Sequence, residues 1–166
     1  MSYKDSFVYS LRQKVGDMRL ITATVDVIPM NEKGEMKMVY SKDIDGWSTV
    51  GGHVELGDSW QSAALNELRE EAGIVAGVED LELVATISGP GEVQEYADGS
   101  TQPFSLGFLC RHWKEELSFS DTEEIRKVAW MNADEVRKNT IDERSLLLID
   151  ALEKYLETGK VQTVIK

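Results

Sequence analysis

The apolar positions change period several times along the chain, and each period predicts an element. Residues 20–29, LITATVDVIP, alternate and are rich in β-branched side chains, which predicts a strand. NEKG then reads as a turn, and residues 35–40, EMKMVY, as the returning strand of a hairpin that starts the sheet. A polar loop over 41–46 leads to a further strand at WSTV, with Gly51 and Gly52 as a backbone-permissive turn after it. Upstream, residues 7–14 read as a short helix or extended arm that ends near Gly16, within an N-terminal stretch 1–18. Downstream, residues 81–88, 104–111 and 125–131 have strand patterns, and 89–103 reads as one long loop rich in Gly, Pro and acidic residues. Asn132 with Glu135 marks a helix start. Leu146, Ile149, Leu152 and Leu156 give the apolar face of a last helix over 142–157, ended near Gly159.

The clearest helix pattern covers 59–72, with Asp58 as its cap, Gln61 three residues on as in a capping box, and Gly73 at the left-handed position after the helix. Trp60, Ala64, Leu65, Leu68 and Ala72 share one apolar arc. Strands interleaved with two or three helices predict an α/β or α+β fold, with helices on both faces of a mixed β-sheet.

At about 100° per residue, Glu67 and Glu71 lie about 40° apart and Glu70 about 60° from Glu67, so three carboxylates occupy one arc of roughly 100°. Like charges at this spacing repel, and helix formation does not require them. Glu71 also falls at the edge of the apolar stripe, beside Ala64 and Trp60, where an uncompensated carboxylate is costly. A divalent cation compensates it. Gly51 and Gly52 can present a backbone carbonyl close to the helix, which completes the hard-oxygen donor set that Mg²⁺ prefers. The bland alternative is a solvated acidic helix face.

The segment GGHVELGDSWQSAALNELREEAGI resembles the signature of the Nudix hydrolases, bacterial MutT-like branch. Gly52, Glu67, Leu68, Glu70, Glu71, Gly73 and Ile74 match; Asp58 stands where the family has Glu, and Asn66 where it has Arg. The resemblance implies an α/β/α sandwich that uses Mg²⁺ or Mn²⁺ to hydrolyse a nucleoside diphosphate linked to another moiety. It implies that the Gly51 carbonyl, Glu67 and Glu71 hold the metal, with Glu70 supplementing, and that Glu67 or a loop carboxylate, Glu92 or Glu95, is the general base. Asp58, Asn66 and Gly73 are the motif's support, and the two departures weaken the ion pair that orients the glutamates in the family. VGGHVELGD resembles the nucleoside-triphosphate branch, whereas Pro90, 16 residues past the signature, resembles the spacing of ADP-ribose hydrolases. A nucleoside triphosphate is the expected substrate, ADP-ribose or another sugar nucleotide the alternative, and a non-catalytic nucleotide-binding module the second reading.

Charge narrows the partners. Thirty acidic against eighteen basic residues give a net charge of −12, which repels a polyphosphate backbone and disfavours duplex DNA or long RNA. The 166 residues suit a single domain spanning 1–166, with no stretch apolar enough for a membrane span and no signal-peptide pattern, so a cytoplasmic protein is expected; a homodimer is left open. Cys110, in the apolar run FSLGFLC, reads as a core thiol. His53, next to the glycines, is a candidate phosphate contact, and Trp47 a candidate stacking surface for a base; a surface histidine and a core tryptophan are their ordinary readings.

Overall fold

A computed structural model describes residues 3–166. In chain order its elements are α1 (Phe7–Val15), β1 (Leu20–Pro29), β2 (Met36–Ser41), β3 (Gly46–Ser48), β4 (Val50–His53), α2 (Trp60–Ala72) and β5 (Ile74–Val75). They continue with β6 (Leu81–Ser88), β7 (Gln94–Tyr96), β8 (Gly99–Cys110), β9 (Glu115–Glu116), β10 (Ile125–Met131), α3 (Ala133–Asn139), α4 (Glu143–Thr158) and β11 (Gln162–Ile165).

The main sheet has the order β11-β6-β8-β1-β4, with β7 added to the start of β8. It is mixed: β1 runs parallel to β8 from Leu20↔Thr101 to Pro29↔Cys110, while β4 is antiparallel to β1 and β6 antiparallel to β8. Successive β1 side chains point to opposite faces, so Val25 and Val27 enter one core and Ile28 the other. The first core packs α2, through Ala64, Leu68 and Ala72, against β1 and β4; the second packs α4, through Leu148, Ile149 and Leu152, against β6 and β8. Helices thus cover both faces of a mixed sheet, the α/β/α arrangement expected. A second sheet, β10-β2-β3, contributes Met36 and Met38 to one core and Val39 to the other. No described helix is long and apolar enough to cross a membrane.

Several local expectations are corrected. The NEKG turn forms, with Gly34 N–H donating to Asn31 O at 2.9 Å, but a single Met30–Met36 bridge joins the two strands before β2 departs for the second sheet. Both edges of β1 are already taken, by β8 and β4, so no hairpin can continue. Gly51 and Gly52 are strand rather than turn, opposite Asp26 and Val25 of β1. The cap of α2 is Ser59, not Asp58: its Oγ accepts from Ser62 N–H at 3.0 Å, and Ser62 Oγ accepts from Ser59 N–H at 2.8 Å, so Ser62 replaces Gln61 in the box. Gly73 does take the left-handed conformation, φ 68°.

Residues 89–103 are not one long loop. β7 and β8 form a hairpin across Ala97 and Asp98, and β8 begins at Gly99. Pro103 is tolerated because it falls in the gap where pairing with β7 has ended at Thr101 and pairing with β6 has not begun at Ser105. The buried Arg12 of α1 donates to Ser100 O at 2.6 Å and so docks the helix on this hairpin.

Candidate active site

β4 is an edge strand, and its free side faces α2. There the Gly51 N–H donates to the Glu71 carboxylate at 3.0 Å. A residue in an antiparallel strand turns its N–H and C=O the same way, so the Gly51 carbonyl shares this face. At Gly52 a Cβ would lie 2.7 Å from the Glu67 carboxylate carbon; the missing side chain is the space that Glu67 occupies. The two glycines read from the sequence as a flexible turn therefore act through close approach, each receiving a glutamate one helical turn from the other.

Their electrostatics follow from that placement. Burial, then the charges of Glu70 and Glu124, push the Glu67 carboxyl up to about 7. Burial holds Glu71 well above the ordinary carboxylate range; the Glu67 charge adds to this, and the Gly51 N–H opposes it. His53 goes the other way, lowered to about 4 by burial and by the Arg144 charge, so it is neutral at physiological pH.

A cavity of about 610 Å³ opens over this face, and its lining includes Gly51, Gly52, His53, Asp58, Asn66, Glu67, Glu70 and Glu71. Among the described residues its walls hold ten carboxylate side chains and one cationic one, Arg144. No three His, Cys, Asp or Glu side chains of the described residues stand close enough together to form a complete ligand set as placed. The donor chemistry nevertheless fits a divalent cation. Glu67 and Glu71 are hard oxygen donors, both desolvated and the second raised further by the charge of the first, and a cation between them removes that repulsion.

Other candidate residues lie elsewhere. Glu92 is buried away from the cavity, 3.7 Å from Lys166 Nζ, and Glu95 is exposed on β7, 3.9 Å from Arg19. Trp47 packs edge-on against Tyr40, 5.4 Å between centroids, with Lys127 over its ring, and does not line the cavity. Gly73 closes α2 against the Leu117 backbone. Asp58 accepts from Ser62 Oγ at 2.9 Å, so it serves the helix start, and Asn66 is exposed beside Glu67. Cys110 is buried, its thiol pushed up to about 11 by burial.

Sequence reasoning missed Arg144 and Asp26. Arg144 of α4 reaches across to β1 and donates to Asp26 Oδ2 at 2.5 Å and Thr24 Oγ1 at 2.7 Å. Burial raises the Asp26 carboxyl, and the Arg144 charge counters it. The polar Asp26 within the apolar LITATVDVIP was the available signal.

The NUDIX domain model matches residues 20–151. The chain belongs to the NUDIX family. It is 30% identical over 103 residues to the nucleoside triphosphatase NudI of Enterobacter sp. (strain 638), covering 58% of this chain and 67% of the relative. The NUDIX domain of Shewanella oneidensis NrtR, solved with ADP ribose, superposes with a TM-score of 0.67 at 15% identity, over 94% of this chain and 99% of that one. A bifunctional NMN adenylyltransferase/ADP ribose pyrophosphatase from Francisella tularensis, complexed with AMP and a Mn ion, gives 0.66 at 18% identity, over 88% of this chain and 44% of that one. This Nudix chain is a pyrophosphohydrolase of its family, with the signature helix α2 against the glycines of β4.

Proposed function

We propose that the protein hydrolyses the pyrophosphate linkage of a nucleoside triphosphate with Mg²⁺ or Mn²⁺. The observation that carries this reading is the pairing of two desolvated glutamates, Glu67 and Glu71, on the free edge of β4 in one acidic cavity. Glu67, Glu71 and the Gly51 carbonyl would hold the cation, with Glu70 supplementing from the cavity wall. Bound there, it neutralises the phosphates and lowers the pKa of water. Glu67 takes the proton from the attacking water at a carboxylate oxygen; of the three bases read from the sequence it alone lines the cavity, Glu92 and Glu95 lying outside it. The water oxygen forms a bond to phosphorus as the bridging P–O bond breaks, in line and without a covalent enzyme intermediate.

The NudI relative favours a triphosphate, and the ADP-ribose-bound structural neighbour favours a sugar nucleotide. Hydrolysis of a panel of nucleoside triphosphates, ADP-ribose and UDP-sugars in ¹⁸O-water, read by mass spectrometry, decides between them. The expected result is a labelled product from triphosphates with Mg²⁺ present. Faster cleavage of ADP-ribose, or of nothing, contradicts the reading.

A further inference from the structure

The acidic cavity contains one feature that the metal chemistry does not use. Arg144 is its only cationic wall residue among the described ones, and it is 8% exposed. Its position is tightly fixed. Nη2, which has two hydrogens, lies within hydrogen-bonding distance of Asp26, Thr24 and Ser105, so one N–H is shared between two of them, and the Thr24 and Ser105 hydroxyls are themselves 2.6 Å apart. All three of these bonds leave from Nη2, while Nε is buried without an acceptor, although a guanidinium carries five N–H donors. Nearby, His53 Nε2 is also buried without a partner, and its ring lies 6.3 Å from Tyr96 at a tilt of 49°. Both rings line the same cavity.

Two physical arguments select the ligand. Arg144 is charge-compensated by Asp26 and set among carboxylates, so this end of the cavity has no positive field with which to hold a phosphate. Its spare donors instead suit an uncharged acceptor, a carbonyl oxygen. The aromatic His53 and Tyr96 suit a planar ring that carries that oxygen. An exocyclic amine in the same place would turn donors toward donors.

We propose that Arg144 is a specificity-determining residue that donates to an oxo group of the nucleobase, so that the enzyme selects oxo-bearing bases over adenine. This rests on the nucleotide-hydrolysis reading above and deepens it. A fixed, buried donor discriminates by the hydrogen bond that the wrong base leaves unmade, worth about tenfold to a hundredfold here.

The test compares inosine and adenosine triphosphates, which differ by 6-oxo against 6-amino on the same purine. Wild type should show a kcat/KM ratio of about tenfold to a hundredfold for inosine. In Arg144→Gln/Asp26→Asn, which keeps the network uncharged, and in Arg144→Lys, the ratio should collapse toward one, with melting curves showing the variants folded. Equal rates in wild type, an adenine preference, or a preference that survives both variants overturns the proposal. If neither triphosphate is cleaved, the nucleoside-triphosphate reading fails instead. Calorimetric binding of inosine and adenosine monophosphates to the wild-type protein then decides this inference by itself: tighter inosine binding supports it, and equal or weaker binding overturns it.

Discussion

The Gly51 N–H donates to the Glu71 carboxylate at 3.0 Å, which ties the free edge of the main sheet to the acidic face of α2. Glu71 is thus both a desolvated charge and the acceptor that satisfies a strand N–H. These two roles separate by mutation. Glu71→Gln keeps an acceptor for Gly51 and removes the charge, whereas Glu71→Ala leaves the N–H unpaired. Without metal at pH 8, the Gln variant should melt above wild type, and the Ala variant should be less stable than Gln by about 1 kcal/mol. Calorimetry checks the order.

The adjacent glycines should fail in different ways. A Cβ at Gly52 meets the end of the Glu67 side chain, which can swing aside, so Gly52→Ala should fold normally and lose about 10–100-fold in metal affinity or activity. A Cβ at Gly51 meets the Val25 carbonyl of β1, which is backbone in mid-sheet, so Gly51→Ala should show a lowered melting temperature. Equal melting temperatures for the two variants would mean that β4 sits farther from β1 than described.

Stability should depend on pH through the same glutamates. The Glu67 pKa, pushed up from 4.5 to about 7, means that the folded state binds its proton more tightly than the unfolded chain. Its contribution is complete below 4.5 and is lost as pH rises through 7. Glu71 acts in the same direction. His53, lowered from 6.5 to about 4, acts oppositely: stability falls as pH drops from 6.5 toward 4. Between pH 6.5 and 8 the slope therefore comes from buried carboxyls, Glu67 and Glu71 together with Asp26, whose shift has the same sign. Metal-free wild type should lose melting temperature across that window, and Glu67→Gln/Glu71→Gln should flatten the curve.

Much of this architecture is legible in the sequence because α2 and α4 are long helices with caps and an apolar face, and β1 is a ten-residue run rich in β-branched side chains. The misses have physical causes. β8 begins with Gly-Ser-Thr-Gln-Pro, where Thr101 and Ser100 are buried as polar side chains, so no apolar alternation announces the strand. β5, β9 and β11 have two to four residues, too few to show a period. Within the site, the helical spacing of Glu67, Glu70 and Glu71 is local and readable. The meeting of Arg144 with Asp26 joins residues 118 apart and depends on the topology.

The motif's departures are also testable. Asn66 is exposed beside Glu67, and the Asp58 carboxylate is engaged by Ser62 Oγ rather than by a guanidinium. Asn66→Arg combined with Asp58→Glu supplies a fork-shaped ion pair in place of an amide. The double variant should raise Mn²⁺ affinity, read by titration of the paramagnetic ion, or the turnover rate. No gain in either would show that another group already orients the glutamates.

The most direct test of the central claim is the rate of nucleoside triphosphate hydrolysis against Mg²⁺ concentration, for wild type and Glu71→Gln. Wild type should show no turnover after chelation and a saturable rise with Mg²⁺, and Glu71→Gln, still folded, should be slower by about a hundredfold or more. Turnover that persists in chelator, or a Glu71→Gln rate equal to wild type, would contradict a cation held between Glu67 and Glu71.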